Sequence, residues 1–337
     1  MKKVAHIYAS NAKFNSGDFM LGVSTKRYFS EIIMESREHH TFDDYDCRGD
    51  FSEKVVKKLN EDYDYLLVGG GGLMLPDSVP NMVSCWQWVI DEKLYDLIDI
   101  PIYVVSVGYN LFHGQDMSMP SRESNNSIPE RLDIFTSNIR KLINKAQHFT
   151  LRHTGDMESL ISVIGEDMRD KLSMEICPSV WYVEKYWKPY IPEADKYVAI
   201  EIKDDREWRR YRKITKQSFY EELERFIRDC IEQKVPVAYM SHDGSINFYR
   251  YLQSKGIQLP LLNNTSGDEQ SIFNNYAYVK TLLCSAGHSQ MMAHGCGIKT
   301  ISLVSHPKLR YFCDDTNNTS FVDINEEPVY NKIKQLL

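Results

Sequence analysis

The chain reads as an α/β protein of two Rossmann-like halves, with an anion-binding cleft expected between them. Three observations predict this. Apolar runs of strand length alternate with longer stretches of helical spacing, the pattern of parallel sheets covered on both faces. The alternation pauses once near the middle and restarts. The length, 337 residues, exceeds the size at which a single core stops growing.

In the first half, Lys3–Tyr8, Tyr65–Val68, Ile102–Val107 and His148–Leu151 are short apolar runs rich in Val, Ile, Leu and aromatics, and predict buried strands. Asp18–Ser30, Ser52–Asn60, Ser84–Asp96 and Glu130–Asn144 lie between them with helical spacing. The stretch Cys177–Asp195 carries prolines 178, 189 and 192 among aromatics and reads as an irregular connection. The pattern then resumes with strands Tyr197–Ile202, Val235–Met240, Tyr278–Cys284 and Thr300–Val304. Helices are expected at Ser218–Gln233, Ile246–Ser254 and His288–Ala293. Two domains follow, 1–190 and 191–337.

Composition narrows the function. At 42% hydrophobic and 26% charged the chain is ordinary globular protein. A net charge of -7 argues against a broad nucleic-acid surface while leaving room for a local basic pocket. The apolar run after Lys2 and Lys3 is too short for a signal peptide, and no run approaches a membrane span. The seven cysteines are scattered with no C-x-x-C pair, which suits reduced thiols in a cytoplasmic protein and no metal site.

Open parallel sheets take ligands beyond the carboxyl ends of their strands, where helix N-termini present free N–H groups. The chemistry is therefore sought there. Asn15-Ser16-Gly17-Asp18 follows the first strand, with Asp18 placed to cap a helix. Gly69-Gly70-Gly71-Gly72 follows the second and reads as a ligand-facing loop, with close packing as the alternative. Neither a G-x-G-x-x-G pattern nor a Walker lysine is present. Gly108 and Asn110 follow the third strand, and Arg152 the fourth, an arginine suited to carboxylate or phosphate. Ser285-Ala286-Gly287-His288-Ser289 closes another strand and opens a short helix. His288 then stands at a helix N-terminus, where a bound anion would favour its protonated form and make it an acid. His294 falls on another side of that helix and reads as structural. Lys308 and Arg310 follow the last strand. A basic and aromatic segment, Arg206–Lys213, reads either as a solvated loop or as a contact for a lipid diphosphate or membrane surface.

Taken in order, these segments resemble the polysaccharide pyruvyltransferase family over nearly the whole chain. The matching residues are Asn15-Ser16-Gly17-Asp18, Gly69–Leu73, Ser106–Gly108, Arg152, His288 with Gly295 or Gly297, and Lys308 with Phe312. The resemblance implies two Rossmann-like domains in a GT-B-like arrangement with an inter-domain cleft, and transfer of pyruvate from phosphoenolpyruvate to a sugar of a polysaccharide precursor, forming a ketal without cofactor or metal. It implies His288 as the acid, and Arg152, Ser285, Ser289, Lys308 and Arg310 on phosphoenolpyruvate. Asn15, Asp18, Gly70, Gly71, Gly72 and Asn110 fall to a glycan acceptor, one carried on a lipid diphosphate at the inner membrane face. The N-terminal half would then be the acceptor side and the C-terminal half the donor side. Two positions depart from the family pattern: Ala286 stands where an arginine is expected and His153 where an aspartate is. Arg310 or the basic segment is expected to make good the missing cation, unless the donor differs. A glycosyltransferase using a nucleotide sugar and a non-catalytic glycan-binding protein are the competing readings.

Overall fold

Wherever a run of Val, Ile and Leu is cut off by glycine, proline or polar residues, the chain forms a strand, and the stretches between form helices. The computed structural model describes residues 1–11, 15–35, 39–76, 81–120, 126–189, 196–264 and 267–337. Its contacts divide into two units: Met1–Ala12 with Leu21–Trp181, and Lys13–Met20 with Tyr182–Leu337. The junction expected near residue 190 falls in 190–195, outside the described residues.

The first unit runs β1 (Lys2–Tyr8), α1 (Ser16–Tyr28, of which Ser16–Met20 belong to the second unit), β2 (His40–Asp46), α2 (Glu53–Asp62), β3 (Tyr65–Met74), β4 (Ile102–Tyr109), α3 (Glu130–Lys145), β5 (His148–Leu151), α4 (Thr154–Ile164) and β6 (Ser173–Met174). Its six strands are parallel in the order β2-β1-β3-β4-β5-β6. Alternate residues bury on opposite faces, as a doubly covered sheet requires. Leu66, Val68 and Val104 pack with Phe135, Ile139 and Leu142 of α3, whose spacing is helical. Leu67 and Val105 pack with Phe29 on the other face.

The second unit runs α5 (Pro178–Tyr186), β7 (Tyr197–Glu201), α6 (Glu207–Arg210), α7 (Lys216–Glu232), β8 (Val237–Ser241), α8 (Asn247–Ser254), β9 (Leu261–Asn263), α9 (Glu269–Ala277), β10 (Val279–Cys284), α10 (Gly287–Gly295), β11 (Lys299–Val304), α11 (Pro307–Asp315), β12 (Phe321–Asp323) and α12 (Val329–Leu336). All six strands are parallel in the order β12-β11-β10-β7-β8-β9, the doubly wound order in which the chain reverses direction on either side of β7. Phe219, Leu223 and Phe226 of α7 cover Ile200, Tyr239 and Leu303.

Three expectations are corrected. The Ser84–Asp96 segment forms no α-helix: Asn81 Oδ1 accepts from the N–H groups of Val83, Ser84 and Cys85, Cys85 takes a left-handed φ of 63°, and Trp86 and Trp88 turn into the core. Only a short 3-10 turn, Glu92–Leu97, remains. The stretch after Cys177 is not irregular throughout, because Pro178 occupies the first turn of α5, where its missing N–H costs nothing. The glycine run is not a loop either, because β3 continues through Gly69–Gly72 to Met74.

Among the described residues no helix is long and apolar enough to cross a membrane. None of the seven cysteines forms a disulfide.

Candidate functional site

In the second unit the strand order reverses at β7, so the carboxyl ends of β7 and β10 open the crevice where such sheets take ligands. β7 ends on Glu201, 1% exposed, whose two carboxylate oxygens are both engaged. One accepts from the backbone N–H of Ala286 at 3.0 Å, the other from Nδ1 of His242 at 3.0 Å. Ser285 Oγ accepts from the N–H of Lys203 at 2.6 Å. These bonds hold the start of α10 against the end of β7. Gly287 and His288 open that helix, Ser289 is buried in its first turn, and the N–H groups of that turn carry the positive end of the helix dipole.

Two other segments converge there. Lys308 sits in the first turn of α11 and lies over Gly287, its Nζ 3.7 Å from where a Cβ on Gly287 would stand. His306 caps α11, its Nδ1 accepting from the N–H of Lys308 at 3.1 Å. Burial, with Lys308, Arg210 and Arg206 adding to it, holds His306 well below its usual value, so the ring is neutral at pH 7. The N-terminus of α1 arrives from far away in sequence: Ser16 donates through both N–H and Oγ to the carbonyl of His242, each at 2.8 Å. Gly17 lies directly against the ring of His288, with no room for a Cβ. Asn15, not Asp18, caps α1, its Oδ1 accepting from the N–H of Gly17 at 2.9 Å. Asp18 instead accepts from Asn15 Nδ2 at 2.9 Å. Asp18 lies inside the helix, in its first turn, and the residue just before the helix has the cap geometry.

The basic segment is not a surface stripe. Arg209 and Arg210 are 3% and 2% exposed. Arg210 donates to Ser305 Oγ at 2.8 Å and to Asp205 at 2.7 Å. Burial opposes ionisation of Asp205, but Arg210, Lys203 and Arg206 together hold its carboxyl well below the usual range. Burial pushes the Lys203 ammonium down, against the pull of Asp205. Sequence reasoning missed Glu201, Lys203 and His242, and saw Arg206 and Arg210 only as part of a charge run. The available signal was a glutamate closing an otherwise apolar strand.

The remaining expected residues lie elsewhere. Arg310 is half-exposed on α11, paired with Asp314 at 2.8 Å and stacked on Phe321, so it does not supply a cation to this edge. His294 meets the ring of Phe312 edge-on. In the first unit, Leu21 and Thr25 of α1 fill the space over Gly70 and Leu21 that over Gly71, while the amide of Asn110 fills that over Gly72. These glycines thus admit side chains closely, as the packing alternative requires. Asn110 Oδ1 accepts from Arg152 at 3.0 Å. Arg152 is 1% exposed and its Nε has no hydrogen-bond partner. Among the described residues no carboxylate is ion-paired with it, an arrangement that leaves a buried charge to be met by something else. Among the described residues no group of three His, Cys, Asp or Glu side chains is gathered as for a metal ion.

No family profile and no curated protein matches the sequence. Solved structures do match in fold. The S. aureus MnaA structure with UDP aligns with a TM-score of 0.54 at 14% identity, covering 100% of this chain and 88% of that one. The Methanocaldococcus jannaschii UDP-GlcNAc 2-epimerase, in complex with UDP-GlcNAc and UDP, aligns at 0.53 and 11% identity, covering 99% and 92%. The Neisseria meningitidis UDP-GlcNAc 2-epimerase bound to UDP-GlcNAc gives 0.52 at 12%, covering 99% and 90%. At such identities the likeness is one of fold: an α/β chain of two Rossmann-like domains, the class the sequence predicts.

Proposed function

We propose that this chain is an enzyme that holds a phosphate-bearing donor at the carboxyl edge of the second sheet and acts on a sugar, with a nucleotide sugar as the donor. The observation that carries this is the convergence of the α10 N-terminus, His288 and Lys308 where the strand order reverses. The N–H groups at a helix N-terminus and an ammonium suit the oxygens of a phosphate, and they stabilise the charge that develops on it as a leaving group. His288 stands beside them as the group to give or take the proton. The fold likeness to proteins solved with UDP or UDP-GlcNAc, two of them described as UDP-GlcNAc 2-epimerases, supports a nucleotide sugar over other phosphates.

A second reading, ketal transfer of pyruvate from phosphoenolpyruvate to a glycan, is favoured by one contact. Gly17, from the first motif of the pyruvyltransferase resemblance, packs against His288 from the last. In that reaction His288 protonates the methylene carbon of the donor, a sugar hydroxyl attacks the neighbouring carbon, phosphate leaves and a second hydroxyl closes the ketal. Lys308 and the N–H groups of α10 hold the phosphate, and no cofactor takes part.

Thermal-shift titration with UDP, UDP-GlcNAc and phosphoenolpyruvate tests both readings, followed by 31P NMR of the products with a sugar acceptor. Stabilisation by the uridine nucleotides and turnover of the nucleotide sugar supports the first. Stabilisation by phosphoenolpyruvate alone, with acceptor-dependent phosphate release, replaces it with the second. Glycan binding without turnover of either donor would make the chain a non-catalytic binding protein and sink both.

A further inference from the structure

A hydroxyl that displaces a phosphate gives up its proton as its oxygen bonds to carbon, so the proposed reaction needs a proton acceptor. His288, Lys308 and the first turn of α10 are placed for the phosphate that leaves. Another imidazole, that of His242, lies just beyond the carboxyl end of β8. Glu201 ties it to the start of α10: one carboxylate oxygen accepts from Nδ1 of His242 at 3.0 Å, the other from the N–H of Ala286 at 3.0 Å. A carboxylate only accepts, so Nδ1 carries the hydrogen and the lone pair of the neutral ring lies on Nε2. Among the described residues no hydrogen bond reaches Nε2. The carboxylate beside it, Asp243, stands 3.8 Å away, beyond hydrogen-bond reach. Both oxygens of Asp243 are already engaged, Oδ1 by the N–H of Ser245 at 3.0 Å and Oδ2 by the ammonium of Lys203. The backbone of His242 is fixed as well. Ser16 donates through N–H and Oγ to its carbonyl, each at 2.8 Å, and the next residue, Gly17, lies against the ring of His288. The two histidines therefore adjoin the same turn of α1.

We infer that His242, through Nε2, is the proton acceptor for the hydroxyl of the sugar acceptor, and that Glu201 is its positioning residue. As the hydroxyl oxygen bonds to the donor carbon, the bond from that carbon to the phosphate oxygen breaks and its electron pair leaves with the phosphate. The hydroxyl proton passes to Nε2 and later to water. The imidazolium formed in between has Glu201 at Nδ1 and Asp243, shared with Lys203, 3.8 Å from Nε2. Carboxylates at these distances favour the charged ring while it lasts. His242 is 4% exposed, so water screens the pair little. The inference rests on the donor reading above and deepens it, by dividing the proton work between two histidines, one for the leaving phosphate and one for the attacking hydroxyl. A purely structural part, as a tie between β8 and α10, uses the same Glu201 bonds but leaves Nε2 without a task, and the experiment separates the two.

The test is steady-state kinetics of the full chain, wild type, His242→Gln, His242→Ala and Glu201→Gln. UDP-GlcNAc and, separately, phosphoenolpyruvate serve as donors, with galactose, mannose and glucosamine as acceptors. Melting curves check that each variant is folded. The expected result is a fall in kcat of roughly a hundredfold or more in His242→Gln, with KM for the donor within about threefold of wild type. Added imidazole should restore part of the turnover of His242→Ala, which a purely structural histidine would not allow. For Glu201 the readout is the ring itself. Long-range proton–nitrogen NMR spectra should show the neutral ring of His242 protonated at Nδ1 in the wild type and a mixture of both tautomers in Glu201→Gln. Turnover that His242→Gln leaves undiminished, or a wild-type ring protonated at Nε2 alone, overturns the inference while the donor reading stands. Turnover of phosphoenolpyruvate alone, lost in His242→Gln, keeps the proton acceptor and sinks the nucleotide-sugar reading. A wild type that turns over neither donor overturns both.

Discussion

At Gly17 one absent carbon governs a histidine from the other end of the chain. Gly17 lies in the first turn of α1, where alanine would favour the helix by up to about 1 kcal/mol. A Cβ there, however, would occupy the place of the His288 ring, so the ring must leave it. Gly17→Ala is therefore expected to change the melting temperature little and to lower kcat/KM roughly tenfold or more, a loss of about 1.4 kcal/mol in transition-state binding. Steady-state kinetics beside a melting curve decides it: undiminished turnover would mean His288 has no role. Arg152 supports a prediction of opposite sign for stability. A buried guanidinium with an unpartnered Nε and no paired carboxylate is costly, so Arg152→Met should leave the ligand-free protein as stable or more stable. The same variant should lose any thermal stabilisation that anions give the first unit. A variant clearly less stable without ligand would instead make Arg152 a structural residue. In sequence, Arg152 was visible as an arginine at a strand end, but its want of a partner was not, because burial and pairing are set by distant segments.

Among the elements, α10 is the one whose ends matter most. Its N-cap residue, Ala286, has no side chain to bond the helix N–H groups, and β7 supplies the acceptor instead through Glu201. Removing that carboxylate strands two buried donors, the N–H of Ala286 and Nδ1–H of His242. At roughly 1–3 kcal/mol for each unsatisfied group, Glu201→Ala should cost about 2–6 kcal/mol in urea unfolding. Glu201→Gln keeps one acceptor and should cost less than half as much. Equal costs would show that charge rather than capping matters. Periodicity found the central strands, because Val, Ile and Leu crowd where both faces are covered. It missed β2, whose His-Thr-Phe-Asp-Asp-Tyr-Asp sequence is polar because an edge strand is only half buried. It also missed the two- and three-residue strands β6, β9 and β12, too short to show a period. Gly69–Gly72 was readable as a place of close approach. What approaches is the side chain of Leu21, a fact of tertiary packing.

Over the whole molecule, the fold class was legible because it depends on a repeated local pattern, whereas the site was legible only in pieces. His288 and Lys308 stood out as strand-end residues, but Ser16 reaching His242 and Arg210 reaching Ser305 are contacts across 226 and 95 positions. No spacing rule encodes such contacts. The same long-range burial makes the protein acid-sensitive through one histidine in each unit. His6, fully buried and bonded through Nε2 to the carbonyl of Gly69, is pushed down to about 4, chiefly by burial. His306 is held well below its usual value for the same leading reason. Both pKa values are lower folded than unfolded, so the unfolded chain gains the protons first as pH falls. The stability contributed by the neutral rings is therefore complete above about pH 6.5 and declines below it, for His6 until about pH 4. The drop of His6 from 6.5 to about 4 corresponds to roughly 3 kcal/mol at most. Urea midpoints measured at pH 7.5, 6 and 5 should fall steadily. His6→Asn, which keeps an N–H for Gly69, should flatten that fall in the first unit and His306→Asn in the second. Wild-type midpoints that stay level from pH 7.5 to 5 would mean that both rings take up protons without unfolding, and that the burial described here is not what holds them neutral.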